Sequence, residues 1–197
     1  MLIKNEFEVT APVERVWAFF GDIPQVAACL PGTELTENLG DDKYAGRVAI
    51  RMGPVRLSFD GTARVTGRDE AAHRMVVDAS GSEAKGRGQA SMAVTATLAR
   101  AGRGTKVAVA QDLQLAGAAA QYGRGMISDV SSVLMRDFAR NLQNRIDAAD
   151  RGESPEQATT PAAASSASGL TLGLRAALMA LSRVFRRFFL PYRAPAS

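Results

Sequence analysis

Between Thr33 and Gly117 the sequence alternates apolar and polar residues in short runs separated by glycine-rich turns, and directly afterwards the period changes to that of one long helix. Tyr44, Gly46, Val48, Ile50 and Met52, then Val55, Leu57 and Phe59, then Met92, Val94, Ala96 and Leu98, and last Val107, Val109, Gln111, Leu113 and Leu115 occupy alternate positions. Residues two apart project from the same face of a strand, so each run gives a sheet one apolar face. Turn signals fall at Gly40-Asp41-Asp42, Gly53-Pro54, Gly67 to Glu70, Gly81-Ser82, Gly86 to Gly88 and Gly102 to Gly104. Short connections of this kind predict an antiparallel meander of about six strands. After Gly117, the residues Ile127, Val130, Leu134, Phe138, Leu142 and Ile146 recur every three or four positions. That stripe must lie against the sheet, with Arg136, Asp137, Arg140, Gln143, Asn144 and Arg145 turned to water.

The segment before the meander completes the pattern. Leu2 to Val9 has the β-branched and aromatic content of a strand. Pro12 suits the first position of a helix, Glu14 falls near its positive end, and Val13, Val16, Trp17 and Phe20 repeat at helical spacing until Gly21 and Asp22 stop it. Pro24 to Leu30 predicts a second short helix, ended by Pro31-Gly32. The order of strand, two short helices, six strands and a long helix predicts an α+β helix-grip: a curved antiparallel sheet wrapped around a long C-terminal helix.

Composition removes several kinds of chemistry. Cys29 and His73 are the only cysteine and histidine among 197 residues. Zinc clusters and haem attachment therefore have almost no ligands, and a Ser-His-Asp triad could draw only on His73. No metal site and no catalytic residue are expected. His73 lies in Asp69-Glu70-Ala71-Ala72-His73-Arg74, which reads as an exposed turn, and Cys29 reads as a small buried hydrophobe. Asp60 and Asp112 fall opposite the apolar faces of their strands and are expected to point outward, pairing with neighbours such as Arg56. The opening MLIKNEFEVT lacks the apolar run of a secretory signal, so a cytoplasmic setting is expected.

The net charge of +4 is unevenly placed. Residues 1–150 carry 18 basic and 18 acidic side chains, whereas residues 170–197 carry five arginines and no acid. A body over 1–148 is thus followed by a Pro/Ser/Ala-rich linker over 149–169, which has no apolar stripe and reads as a flexible tether. At 170–191 the chain resumes helical spacing. Leu174, Leu178, Leu181, Phe185, Phe188 and Phe189 fall on one arc, with Arg175, Arg183, Arg186 and Arg187 on the other, and Pro191 ends the segment before a short tail at 192–197. Its apolar stretches are far shorter than the ~20 residues needed to cross a bilayer, so the pattern predicts a helix lying on an anionic membrane surface. A partner's groove or the chain's own body could take the same stripe. Five arginines on one short helix and its tail, beside a neutral body, give too small a footprint to predict nucleic-acid binding.

Three separated segments, PVERVWAFFGDIPQVAACLPG (Pro12 to Gly32), YAGRVAIRMGPVRLSFDG (Tyr44 to Gly61) and QYGRGMISDV (Gln121 to Val130), resemble the family of the carbon monoxide dehydrogenase G subunit, within the START/Bet v 1-like helix-grip superfamily. The resemblance implies a lipophilic carrier. It would hold an isoprenoid quinone, menaquinone or ubiquinone, with no covalent cofactor, and bring it from the inner face of the cell membrane to a molybdenum-flavin CO dehydrogenase or a related oxidoreductase. Candidate walls for such a cavity are Val48, Ile50, Leu57, Phe59, Met75, Val94, Val109, Ile127, Leu134 and Phe138, each of which serves equally as ordinary core. Tyr44, Gln111 and Tyr122 are the polar residues on or beside the cavity-facing runs. Tyr122 lies in Gln121-Tyr122-Gly123-Arg124-Gly125, a glycine-flanked corner that either admits a ligand close to the backbone or simply shapes a turn. A recruitment adaptor without cargo and an enzyme of the polyketide-cyclase kind remain alternatives, since the same fold serves catalysts.

Overall fold

The computed structural model describes residues 1–52, 55–86 and 88–152. The linker beyond residue 152, the amphipathic segment at 170–191 and the 192–197 tail lie outside them. The described chain runs β1 (Leu2–Val9), α1 (Val13–Phe20), α2 (Ile23–Cys29), β2 (Thr33–Gly40), β3 (Lys43–Met52), β4 (Val55–Asp69), β5 (Arg74–Glu83), β6 (Gly88–Ala101), β7 (Gly104–Gly117), a 3₁₀ turn (Ala118–Tyr122) and α3 (Gly123–Asp150). Seven strands make one antiparallel sheet in the order β1-β7-β6-β5-β4-β3-β2. Neighbours in sequence are neighbours in space from β2 to β7, and β1 closes onto β7 from the far end.

Local chemistry sets the helix boundaries. Pro12 precedes the first turn of α1, whose Val13, Val16 and Phe20 are buried on one side. Asp22 stops α1 and also caps α2, its carboxylate accepting from the Gln25 backbone N–H at 3.1 Å, so α2 begins one residue before Pro24. In β3 to β7 the pairing registers align inward side chains in rows across the sheet. Val65, Val77, Val94, Gln111 and Ile3 form one row, Met75, Ala96 and Val109 the next, and Leu98, Val107 and Phe7 the one after. The last two rows meet α1 and the C-terminal half of α3 in the packed core, where Val9, Val16, Val107, Leu142 and Ile146 are almost wholly excluded from water.

Two expected turns are strand instead. β4 continues through Gly67 to Asp69 with a bulge between Val65 and Gly67, and the reversal falls at residues 70–73, where Asp69 Oδ1 accepts from the Ala72 N–H at 3.0 Å. Gly81 lies inside β5, directly opposite Gly61, which faces Gly46 on its other side. A Cβ at Gly61 would overlap the Ser80 carbonyl oxygen, and one at Gly46 or Gly81 would come within 2.7 Å of the Glu34 oxygen or 2.9 Å of the Asp60 oxygen. Glycine here marks the close approach of backbones in a coiled sheet rather than a chain reversal.

Two side chains also depart from expectation. His73, at a positive φ of 44°, is half-buried with its ring edge-on to Trp17 at 5.5 Å, because the turn that carries it folds over α1. Arg145 is buried rather than solvated, since the last turns of α3 pack between β1 and α2 and their covered arc is wider than the apolar stripe.

The glycine row yields a contrast that can be measured. Gly61→Ala should lower unfolding free energy by about 1–3 kcal/mol, as overpacking does. At Gly67 an added Cβ would meet only the Val76 side chain at 3.5 Å, so Gly67→Ala should stay within about 1 kcal/mol of the parent. Urea unfolding of the two variants checks the difference.

Candidate functional site: an apolar cavity between sheet and helix

Above the packed rows the sheet and α3 separate around a cavity of about 380 Å³. The glycine row and its neighbours create it. Gly46, Gly61, Gly81 and Ala90 lie in register across four strands, and Ala63 and Ala79 stand in the adjoining row, so the middle of the concave face is nearly bare of side chains. α3 packs chiefly on β1 and α2, leaving β3 and β4 as a free-standing wall. Val48 on that wall is 37% exposed, which puts the rim of the cavity there.

Most of the residues expected from the sequence do line this space. Tyr44, Val48 and Ile50 of β3, Leu57 and Phe59 of β4, Val94 of β6, Val109 and Gln111 of β7, Tyr122 of the 3₁₀ turn, and Ile127 and Leu134 of α3 all border it. Met75 and Phe138 do not. Both face inward as their periodicity requires, but they sit in the core beneath the floor, with Phe138 edge-on to Phe7 at 5.8 Å and to Phe20 at 6.3 Å. The sequence reading missed the contribution of the α2–β2 corner, Leu30, Pro31, Thr33 and Leu35, and of Ile3, Met92, Leu113, Leu115, Ser131 and Met135. Met92, Leu113 and Leu115 belong to runs already seen to alternate. Ser131 falls on the inward stripe of α3, four residues after Ile127, but only its contacts reveal its importance.

The walls are apolar, with one connected polar group at the inner end. Gln111 is buried, and its Oε1 accepts from Ser131 Oγ at 3.3 Å. Ser131 Oγ in turn accepts from Asn5 Nδ2 at 3.1 Å, and Asn5 Oδ1 lies 3.3 Å from Ser132 Oγ, whose one proton it shares with the Ser128 carbonyl at 3.0 Å. No histidine, aspartate or glutamate is among the described residues of the lining. Arg47, whose strand edge borders the cavity, turns its guanidinium to Asp60 directly opposite it, Nε to Oδ1 2.7 Å. Asp60 therefore points outward as expected but pairs with Arg47. Arg56 instead lies across from Arg51, and Asp112 is exposed.

Cys29 closes the back of α2. Burial pushes its thiol up to about 11, against a smaller downward pull from the nearby Arg145 guanidinium. A thiol so placed is protonated and inert at neutral pH.

These features define a helix-grip protein with an apolar ligand-sized cavity between its sheet and its long helix. Residues 6–147 match the family described as the carbon monoxide dehydrogenase G subunit (CoxG), and the chain belongs to that family. Solved structures agree on the fold. A conserved protein of Geobacillus kaustophilus is similar at 22% identity, with a TM-score of 0.67 over 75% of this chain and 95% of that one. A Thermus thermophilus protein is similar at 17% identity and TM-score 0.54, over 76% and 99% of the two chains. The ZhuI aromatase/cyclase from Streptomyces sp. R1128 has 13% identity and TM-score 0.54, over 78% and 99%. No curated protein matches. Among the described residues no helix is long and apolar enough to cross a membrane.

The Cys29 environment has a measurable sign. With its pKa raised in the folded state, the thiol contributes stability that is fully present below the unfolded value of about 8.5 and is lost as pH rises towards 11. Alkylation by iodoacetamide at pH 8 should therefore be slow in buffer and fast in urea. The stability of Cys29→Ala should fall less steeply than that of the parent between pH 9 and 11.

Proposed function

We propose that this protein is a non-enzymatic carrier of a lipophilic ligand, an isoprenoid quinone such as menaquinone or ubiquinone. It would move the quinone between the bilayer and a molybdenum-flavin dehydrogenase of the CO dehydrogenase type. The cavity is the observation that carries this reading. Left empty, the 380 Å³ space leaves its apolar walls without packing partners, a cost that grows with cavity volume. Water filling it would meet almost no polar partners. An apolar ligand relieves both costs, and the volume falls within the ~300–1,000 Å³ of small-molecule sites.

Several features favour a carrier over a catalyst. General acid–base chemistry needs a positioned titratable group, and the described lining offers no histidine or carboxylate, only the phenols of Tyr44 and Tyr122, aliphatic hydroxyls, one carboxamide and an arginine engaged outside. The family's name ties the chain to CO dehydrogenase, whose electrons need an acceptor. In this reading the arginine-rich segment at 170–191 holds the protein on the inner membrane face, where quinone resides, and the linker lets the body swing to its enzyme.

Purification of the full chain from a quinone-containing host, followed by solvent extraction and mass spectrometry, tests the cargo. Near-stoichiometric quinone is expected, and it should be lost from Ala79→Phe, whose ring would occupy the cavity. A parent protein that is empty, or that brings only mixed membrane lipid, overturns the carrier in favour of a cargo-free recruitment adaptor. Separately, removing residues 170–197 should abolish sedimentation with anionic liposomes, and unchanged sedimentation would refute the anchor.

A further inference from the structure

We infer that Gln111 determines which ligands the cavity accepts, presenting an N–H donor that selects molecules with a carbonyl or other acceptor oxygen at their buried end. This rests on the carrier reading and adds an orientation to it. Gln111 occupies an otherwise aliphatic row, flanked in register by Val94 and Ile3, and is 8% exposed. A carboxamide buried there costs about 1–3 kcal/mol unless its hydrogen bonds are made.

One of them is made, and in a fixed direction. The Ser131 hydroxyl has one proton. With Asn5 Nδ2 donating to that hydroxyl at 3.1 Å, the proton goes to Gln111 Oε1 at 3.3 Å. The carboxamide oxygen is thereby occupied and the amide group is oriented. Gln111 Nε2 has no protein acceptor among the described residues, while its side chain borders the cavity. The chain from Asn5 through Ser131 thus gives Gln111 the character of a donor facing the cavity, which water completes when the cavity is wet and an acceptor on the ligand completes when it is filled. A hydrocarbon of the same shape would fill the same volume and leave that N–H unpaired. Specificity arises in this way when a polar group is left without its partner, more than from the gain of one bond.

The position also sets polarity along the cavity. Gln111 is next to the packed row of Met75, Ala96 and Val109, at the inner end, whereas the rim is at Val48. A ligand engaging Gln111 therefore enters with its oxygenated end first and leaves its hydrocarbon portion towards the rim.

The test uses the full chain and two probes of nearly equal shape, menadione, which carries two ring carbonyls, and 2-methylnaphthalene, which carries none. Binding is measured by titration calorimetry on the parent, Gln111→Met and Ser131→Ala, with circular dichroism to verify folding. The parent should prefer menadione by about tenfold. Gln111→Met should erase that preference with little effect on 2-methylnaphthalene. Ser131→Ala, which leaves the carboxamide free to rotate, should reduce the preference and provides the answer if Gln111→Met does not fold. Equal affinity of the parent for both probes, or a preference that survives in the folded variants, overturns the role of Gln111 and leaves the carrier standing. Failure of the parent to bind either probe overturns both.

Discussion

The absence of side chains at Gly46, Gly61 and Gly81 is the constraint on which the rest depends. In register across β3, β4 and β5, these residues bring backbones so close that a methyl group at Gly46 or Gly61 would press on a neighbouring carbonyl oxygen. Coiling of this kind turns one sheet into a trough. On one side of the row the strands carry Val, Met, Leu and Phe that interlock with α1 and α3. Around the row itself they carry alanine and glycine, and α3 has nothing to pack upon. The same residues that bend the sheet therefore hollow it, and no second device is needed to produce a cavity.

The balance between filled and hollow halves follows. The aromatic cluster of Phe7, Phe20 and Phe138, with the aliphatic rows beside it, supplies ordinary dense packing. The hollow half forfeits such contacts, and its strands are held by pairing that runs from β2 to β7 with bulges in β2 and β4. Backbone hydrogen bonding holds the trough where side-chain packing cannot.

Much of this was legible in the sequence because period two and period 3.6 report directly which face a residue uses. The meander, the long helix and the inward face of most cavity-wall residues followed from that, the strand at Leu2 to Val9 from its β-branched and aromatic content, and the family from the resemblance of three segments. Periodicity does not report depth along the element, and this is why Met75 and Phe138 read as wall when they are floor. Nor does it distinguish a glycine that turns the chain from one that admits a neighbour: Gly81 carried the same signal as Gly102, yet only the latter sits in a reversal. Arg145 was misplaced because its charge outweighed its position between two packed elements. The Asn5 to Ser131 contact joins residues from opposite ends of the body, and nothing local announces it.

The closure of β1 on β7 has a consequence for the order in which the molecule can be assembled. β2 to β7 pair with their sequence neighbours and can form progressively, but Ile3 reaches Gln111 only across most of the body, a pairing of high contact order. Asn5 sits on the same late strand. The polar end of the cavity therefore depends on the longest-range strand pairing of the body, and the group that orients a ligand is complete only where β1 is docked. A ligand held there would favour the closed strand by mass action.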